Sequence, residues 1–208
     1  IGLTFLLSMF GYCTVGHEFS RLRDRLSKSN DELKQALDKI EELAITDELT
    51  GLYNRRHLLK ILEQQRAIAN REGTPFVLAF IDLDKFKLIN DLYGHGIGDD
   101  VLCQFSELLK DSVREIDLVS RYGGEKFVLL LNGVGIETAA VVVERIRQAV
   151  EVLPFTQTDL NMTISVGITE YRAPETIADA IERADELLHD AKREGRNRVV
   201  QNTAEMNV

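Results

Sequence analysis

Residues 121–128 read Arg-Tyr-Gly-Gly-Glu-Lys-Phe-Val, and the two glycines at 123 and 124 decide the local fold. Consecutive glycines favour a tight hairpin, because glycine accepts positive φ values and lets a large ligand approach the backbone. The residues on each side then form two antiparallel strands. Glu125 directly follows the glycines, where its carboxylate is placed to hold a metal ion. The stretch therefore predicts a hairpin that carries chemistry at its tip.

Outward from this hairpin, the hydrophobic pattern predicts alternating strands and helices. The apolar run from Phe76 to Leu83 is nearly continuous, which is typical of a central strand buried on both faces. The other predicted strands are Asp117–Tyr122, Lys126–Leu131, Met162–Glu170 and Arg198–Gln201, and helices are predicted at 55–72, 99–114, 138–152 and within 174–194. This order predicts an α/β (α+β) domain with a ferredoxin-like βαββαβ sheet and flanking helices.

Composition limits the kinds of partner. The 208 residues suit one domain of about 150–170 residues plus an appendage. A net charge of −9 argues against a nucleic-acid-binding protein, which needs a basic face. It leaves room for a nucleotide site, because a few local cations and a metal suffice there. Cys13 and Cys103 lack the spacing of metal ligands, which favours a reduced cytosolic setting for the domain.

The first 16 residues carry no charge and are followed at once by Arg21, Arg23, Arg25 and Lys28. A complete membrane span needs about 20 apolar residues. We interpret residues 1–16 as the end of a transmembrane helix, with the basic residues on the cytoplasmic side. This interpretation predicts membrane anchoring with the rest of the chain in the cytoplasm. The alternative is a buried element of a preceding sensor domain.

Residues 17–45 form a predicted coiled-coil helix. Phe19, Leu26, Leu33 and Ile40 recur every seven residues, and Leu22, Ser29, Ala36 and Leu43 fill the intermediate positions. This heptad pattern predicts a parallel two-stranded coil, and hence a homodimer. The alternative is an amphipathic helix packed on its own domain.

Asp82 and Asp84 lie at the end of the predicted central strand. At the two-residue period of a strand, their side chains project to the same side. Paired carboxylates at a strand end form a hard-oxygen site suited to Mg²⁺. By itself an Asp-x-Asp pattern equally fits a strand cap beside a solvated aspartate.

Four motifs occur together in one order: 47–56, 80–99, 123–127 and 191–197. Over roughly residues 45–200, these motifs resemble the GGDEF domains, the diguanylate cyclases. We therefore assign residues 46–202 to a GGDEF domain and 203–208 to a tail. The family usually has a second acidic residue where this chain has Lys126.

The resemblance implies a role for each matching residue. It implies a Mg²⁺ (or Mn²⁺) site, guanine and triphosphate contacts, and a separate product site. The predicted metal ligands are Asp82, Glu125 and the Leu83 carbonyl; the GTP contacts are Asn90, Asp99, Phe86, Lys87, Lys192 and Arg196; the catalytic residues are Glu125, Arg121 and Lys126; and the inhibitory product site is Arg114 with Asp117.

Several of these residues also have ordinary structural interpretations. Asn90 suits a turn cap, Asp99 suits the N-cap of the helix that it precedes, and Lys192 with Arg196 suits a solvated helix end. His95, between two glycines, is interpreted as a turn residue.

The implied activity is the condensation of two GTP molecules to cyclic di-GMP, with release of pyrophosphate. Each domain would hold one GTP, so two domains must face each other, and the coiled coil gives that requirement a physical basis. Cyclic di-GMP would bind back at Arg114 and Asp117 as an inhibitor.

Lys126 separates two hypotheses. A lysine pointing at metal ions weakens metal binding, whereas neighbouring residues of a strand face opposite sides and an ammonium can contact a phosphate. The favoured hypothesis is an active, membrane-tethered cyclase. The alternative is a degenerate domain that binds GTP or cyclic di-GMP as a receptor or dimerisation module. A purely structural coiled-coil protein leaves the ordered motifs unexplained.

Overall fold

The computed structural model describes residues 21–23, 25–30, 32, 34, 45–155 and 162–202. The chain divides into two units, Ile1–Ala44 and Ile45–Val208. The described residues of the first unit are helical, and Leu22 and Leu26 are 57% and 62% exposed. The coiled coil therefore stays a prediction, and most of its heptad positions lie outside the described residues. So do the predicted membrane segment at 1–16 and the tail at 203–208. Within the described part of the chain, no helix has the length and apolar character of a membrane span.

The second unit contains six strands and five helices among its described residues. The strands are β1 Tyr53–Asn54, β2 Phe76–Leu83, β3 Leu118–Gly123, β4 Lys126–Asn132, β5 Ile164–Glu170 and β6 Arg198–Gln201. The helices are α1 Arg55–Glu72, α2 Phe86–Tyr93, α3 His95–Ser112, α4 Ile136–Val152 and α5 Ile177–Arg193.

The strands form one sheet in the order β1-β3-β4-β2-β5-β6. β2 runs antiparallel to both β4 and β5, and all eight of its residues are buried, as the continuous apolar run predicted. The four strands β2, β3, β4 and β5 with their connecting helices form the βαββαβ unit. The ferredoxin-like α/β prediction is confirmed.

Each face of the sheet has its own apolar core. Val77, Ala79 and Ile81 of β2 pack in the core that includes buried residues of α2, α3 and α4. Leu78 and Phe80 pack in the opposite core, with α1 and α5. Strand alternation therefore places Asp82, the last even-numbered residue of β2, on the α1/α5 face.

Gly167 lets α5 approach the sheet closely. A Cβ atom built on Gly167 of β5 would lie 2.2 Å from the Ala184 carbonyl oxygen and 2.3 Å from the Leu188 nitrogen. Since these are backbone atoms of α5, no side-chain rotation relieves such a contact. The absence of a side chain here sets the distance between helix and sheet.

Three local predictions were wrong, all near the glycines at 94–98. The helix predicted at 99–114 begins at His95, so His95 is its first residue and not a turn residue, and Asp99 lies inside the helix and does not cap it. The reason is that Gly98 carries no side chain, so the Asn90 side chain can pack directly against it. A Cβ atom on Gly98 would lie only 2.0 Å from the Asn90 amide oxygen. This contact lets α2 turn directly into α3, and the prediction missed α2 altogether. It also missed the two-residue strand β1.

Candidate active site

Asp82 lies at the end of β2, where its strand partners are Lys126 of β4 and Ser165 of β5. It is 4% exposed, and Lys192 of α5 contacts one carboxylate oxygen at 2.7 Å from its ammonium nitrogen. Burial raises the pKa of Asp82, and the nearby Glu125 charge raises it further, whereas the lysines at 192 and 126 lower it. The structure thus brings two predicted site residues, Asp82 and Lys192, into direct contact.

Lys126 lies on the same face of the sheet as Asp82, because directly opposed residues of neighbouring strands share a face. Its ammonium nitrogen donates to the Asp185 carboxylate of α5 at 2.8 Å and lies 5.6 Å from the centre of the Phe80 ring. Its side chain remains 34% exposed. The fourth residue of the Gly-Gly-Glu-Lys-Phe signature is therefore the one that opposes Asp82.

Glu125 precedes β4 at the tip of the hairpin, and its backbone carbonyl accepts a hydrogen bond from the Leu83 amide at 3.4 Å. Across the described ranges, no group of three or more Asp, Glu, His or Cys side chains is arranged to hold a metal ion. Mg²⁺, however, is commonly held by one or two carboxylates together with phosphate oxygens and water. Asp82 and Glu125 therefore fit a metal that binds together with a triphosphate.

Asp84 is a structural residue. Its buried carboxylate accepts hydrogen bonds from the Thr163 and Ser165 hydroxyls, at 2.8 and 2.7 Å, and from the Asn197 amide at 3.1 Å. Each donor lies on a different part of the chain from β2. Asp84 therefore ties the end of the central strand to β5 and to the loop at 195–197, instead of offering a free carboxylate to a cation.

The two predicted guanine contacts, Asn90 and Asp99, lie on adjoining helices. Asn90 is on α2, and its amide packs against Gly98, the residue before the exposed Asp99 on α3. α2 begins at the buried Phe86, next to the exposed Lys87, and no side chain caps its first turn. The backbone amides of such a turn favour an anion.

Arg121 bridges the hairpin to the start of the domain. Its guanidinium donates to the Gly124 carbonyl at 2.9 Å and to both Asp47 carboxylate oxygens at 3.1 and 3.3 Å. Asp47 also accepts from the Thr50 amide and hydroxyl. Burial acts to raise the pKa of Asp47, but these hydrogen bonds outweigh it and the pKa is lowered.

Arg196, another predicted triphosphate contact, lies in a loop with left-handed backbone. Arg196 and Asn197 have φ values of 66° and 49°. The Asn197 side chain accepts from Arg147 of α4 at 2.6 Å and donates to Glu151 at 2.9 Å. The Asn197 backbone amide also donates to the Asp84 carboxylate. Because both the side chain and the backbone of Asn197 are hydrogen-bonded, the backbone that presents Arg196 is anchored.

A family model described as "Diguanylate cyclase, GGDEF domain" matches residues 44–198. The chain belongs to the GGDEF family. It is 44% identical over 178 residues to the response regulator PleD of Caulobacter vibrioides, covering 82% of this chain and 38% of PleD. It is 38% identical over 190 residues to the diguanylate cyclase DgcP of Pseudomonas aeruginosa, covering 89% of this chain and 28% of DgcP. The chain thus spans well under half the length of these relatives.

Solved GGDEF structures share the fold. The diguanylate cyclase SiaD of Pseudomonas aeruginosa, in complex with its activator SiaC, has a TM-score of 0.74 at 38% identity, covering 97% of this chain and 77% of SiaD. The coiled coil and GGDEF domain of DgcB from Caulobacter crescentus, in complex with c-di-GMP, has a TM-score of 0.73 at 32% identity, covering 87% of this chain and 99% of that one.

The predicted product-site residues of this GGDEF domain line a cavity of about 280 Å³, away from Asp82 in the sequence and the fold. Arg114 is exposed, and Asp117 accepts from the Arg114 and Asn132 amides at 3.1 and 3.0 Å. Arg145 of α4 also lines the cavity and donates to the Ser112 carbonyl at 2.9 Å.

Sequence reasoning missed four residues around these sites: Asp47, Arg145, Arg147 and Asp185. Asp47 lay inside a matched motif, so its acidic side chain was a usable signal. The other three carry no spacing signal, because α4 and α5 bring them to their partners through tertiary packing.

Proposed function

We propose that the chain is a diguanylate cyclase that condenses two GTP molecules to cyclic di-GMP. The observation that carries the proposal is the buried Asp82 at the end of β2, with the Glu125 charge close enough to raise its pKa. In a chain of the GGDEF family, this pair suits binding of a triphosphate together with a cation. The names and ligands of the related proteins support the same substrate class.

Asn90 and Asp99 would hydrogen-bond the guanine edge, since an amide donates and accepts while a carboxylate accepts. The amides around Phe86 and Lys87, with Lys192 and Arg196, would hold the triphosphate. Asp82, Glu125 and the Leu83 carbonyl would hold Mg²⁺ or Mn²⁺. When bound, such an ion neutralises phosphate charge and makes a hydroxyl easier to deprotonate.

In the reaction, the 3′-oxygen of one GTP forms a bond to the α-phosphorus of the other. The bond from that phosphorus to pyrophosphate breaks, and its electron pair leaves with pyrophosphate. The hydroxyl proton passes to the Glu125 carboxylate, and Arg121 stabilises the developing charge. The reverse attack closes the ring and releases a second pyrophosphate.

Two GTP-loaded domains must face each other for this reaction. We propose a homodimer through the helix at 17–45, with residues 1–16 anchoring it at the bacterial inner membrane and the GGDEF domain in the cytoplasm. A second function, nucleotide or product binding without turnover, is favoured by Lys126, which opposes Asp82 where the family usually has an acid.

The test is to incubate the purified chain with GTP and Mg²⁺ and to measure cyclic di-GMP by chromatography. We expect product from the wild type and none from Glu125→Gln. A wild type that binds cyclic di-GMP but forms none from GTP would exclude the cyclase and establish the receptor.

Product inhibition at the second cavity is a separate part of the proposal. Arg114, Asp117 and Arg145 would bind cyclic di-GMP through its guanine and phosphate groups. We expect Arg114→Ala to abolish tight binding, measured by calorimetry, while Glu115→Ala, an exposed residue of the same turn, leaves it intact. Equal affinities of the two variants would refute this site.

A further inference from the structure

Lys126 and Lys192 place two ammonium groups at one edge of the sheet. Lys192 contacts Asp82 at 2.7 Å, and Lys126 contacts Asp185 at 2.8 Å. Their side chains are 28% and 34% exposed, so both cations reach solvent at the edge. Asp185 and Lys192 lie two turns apart on α5, which presents them along one side of the helix.

The charge at this edge depends strongly on residue 126. An acidic side chain here would stand directly across from Asp82, near Asp185 and Glu125, and such a carboxylate cluster needs a cation before a triphosphate can approach. Lysine instead of an acid makes the formal charge of this group of side chains two units more positive. A triphosphate then meets two ammonium groups, Lys126 and Lys192, before any metal ion binds.

The contacts of Lys126 also leave it able to turn towards a ligand. It has a carboxylate partner on one side and the Phe80 ring 5.6 Å away, and the partner aspartate is itself 34% exposed. Both side chains are 34% exposed, so solvent screens this ion pair and weakens it. Lys126 can therefore leave Asp185 and contact a phosphate oxygen at little energetic cost. An ammonium group binds phosphate well as a point charge.

We propose that Lys126 binds the triphosphate and takes over part of the role of the metal ion, so that nucleotide binding by this chain depends only weakly on divalent cations. The inference rests on the proposed GTP site but does not require turnover. It gives the departure from the family signature a chemical purpose.

The experiment measures binding of guanosine 5′-[α,β-methylene]triphosphate to the full chain by calorimetry, in excess Mg²⁺ and in EDTA. For the wild type we expect removal of the metal to weaken binding less than about 10-fold. For Lys126→Glu we expect a loss at least about 10-fold larger, because one charge pair at about 5 Å is worth up to about 100-fold. The loss of affinity on metal removal should be intermediate for Lys126→Gln. This neutral variant keeps the test valid if the acidic variant misfolds.

Lys60→Glu is the matched control, since it makes the same charge change at an exposed position on α1 and should behave as the wild type. Equal metal dependence of the wild type and Lys126→Glu would overturn the inference and leave the cyclase proposal standing. Absence of nucleotide binding by the wild type in Mg²⁺ would overturn both. Weak metal dependence without cyclic di-GMP formation would overturn the cyclase alone.

Discussion

Gly98→Ala tests whether Asn90 reads guanine. A Cβ on Gly98 would lie 2.0 Å from the Asn90 amide oxygen and 3.1 Å from its side-chain carbonyl carbon. The added methyl group must therefore push the Asn90 amide out of its place. Gly96 lies on the same helix, and a Cβ there meets no atom within 4 Å. Gly96→Ala is thus a control with the same chemical change and no contact.

The two variants should differ little in stability and strongly in nucleotide affinity. Alanine favours a helix over glycine by up to about 1 kcal/mol, and both variants gain from this. In Gly98→Ala the gain is offset by a side chain forced about 30° off its rotamer, which costs about 0.5–1.5 kcal/mol. Two lost hydrogen bonds to guanine are worth about 1–3 kcal/mol, or roughly 5- to 150-fold in affinity.

The assay compares GTP and ATP binding by calorimetry, with urea denaturation as a check on folding. We expect Gly98→Ala to lose GTP affinity to nearly the level of Asn90→Ala and to lose its preference over ATP. Gly96→Ala should keep both. If Gly98→Ala binds GTP as tightly and selectively as Gly96→Ala, Asn90 does not read the base and the proposed guanine site is wrong.

Three further predictions concern stability. The lowered pKa of Asp47 means that its hydrogen bonds with Thr50 and Arg121 stabilise the fold at pH values above the ordinary carboxyl pKa. This contribution declines as the pH falls below about 4 and is lost as the pH falls through the lowered pKa. Asp47→Asn should thus lower the free energy of unfolding by about 1–3 kcal/mol at pH 7 and by less at pH 3, measured by urea denaturation. Asp84→Asn places amide hydrogens among three hydrogen-bond donors, so we expect the free energy of unfolding to fall by about 1–3 kcal/mol. Hydrogen exchange at residues 195–197 should also become faster. Unchanged exchange would contradict the anchoring role of Asp84. Gly167→Ala should lower the free energy of unfolding by about 1–3 kcal/mol, because its Cβ meets backbone atoms of α5. Stability equal to the wild type would show that α5 can move away from the sheet at little cost.

Hydrophobic pattern alone located most of the fold. The nearly continuous apolar run of β2 and the glycine turn before β4 correspond to strands that begin or end within a residue of the prediction. Both signals are local: a run length and a pair of residues with unusual φ preference. The same reasoning failed at 86–98, where it predicted no helix and placed His95 in a turn between two glycines, because a helix there depends on the packing of Asn90 against Gly98.

The site was less predictable than the fold, because strand register is a tertiary property. Alternation suggests only that Lys126 need not point where its neighbour Glu125 points. Strand register adds that Lys126 lies across from Asp82. No single-strand pattern contains that information. The same holds for Asp84, which follows the strand like a second metal ligand but is surrounded by three hydrogen-bond donors.

The position of α5 links packing to charge at the edge of the sheet. The backbone atoms that approach Gly167 belong to residues 184, 187 and 188, which lie between Asp185 and Lys192 or directly beside them. The closeness of this contact therefore fixes how far both charged side chains reach towards Lys126 and Asp82. A helix displaced from the sheet would lengthen both ion pairs together. The arrangement of charge at the candidate site thus depends on a glycine on the neighbouring strand, which carries no chemistry of its own.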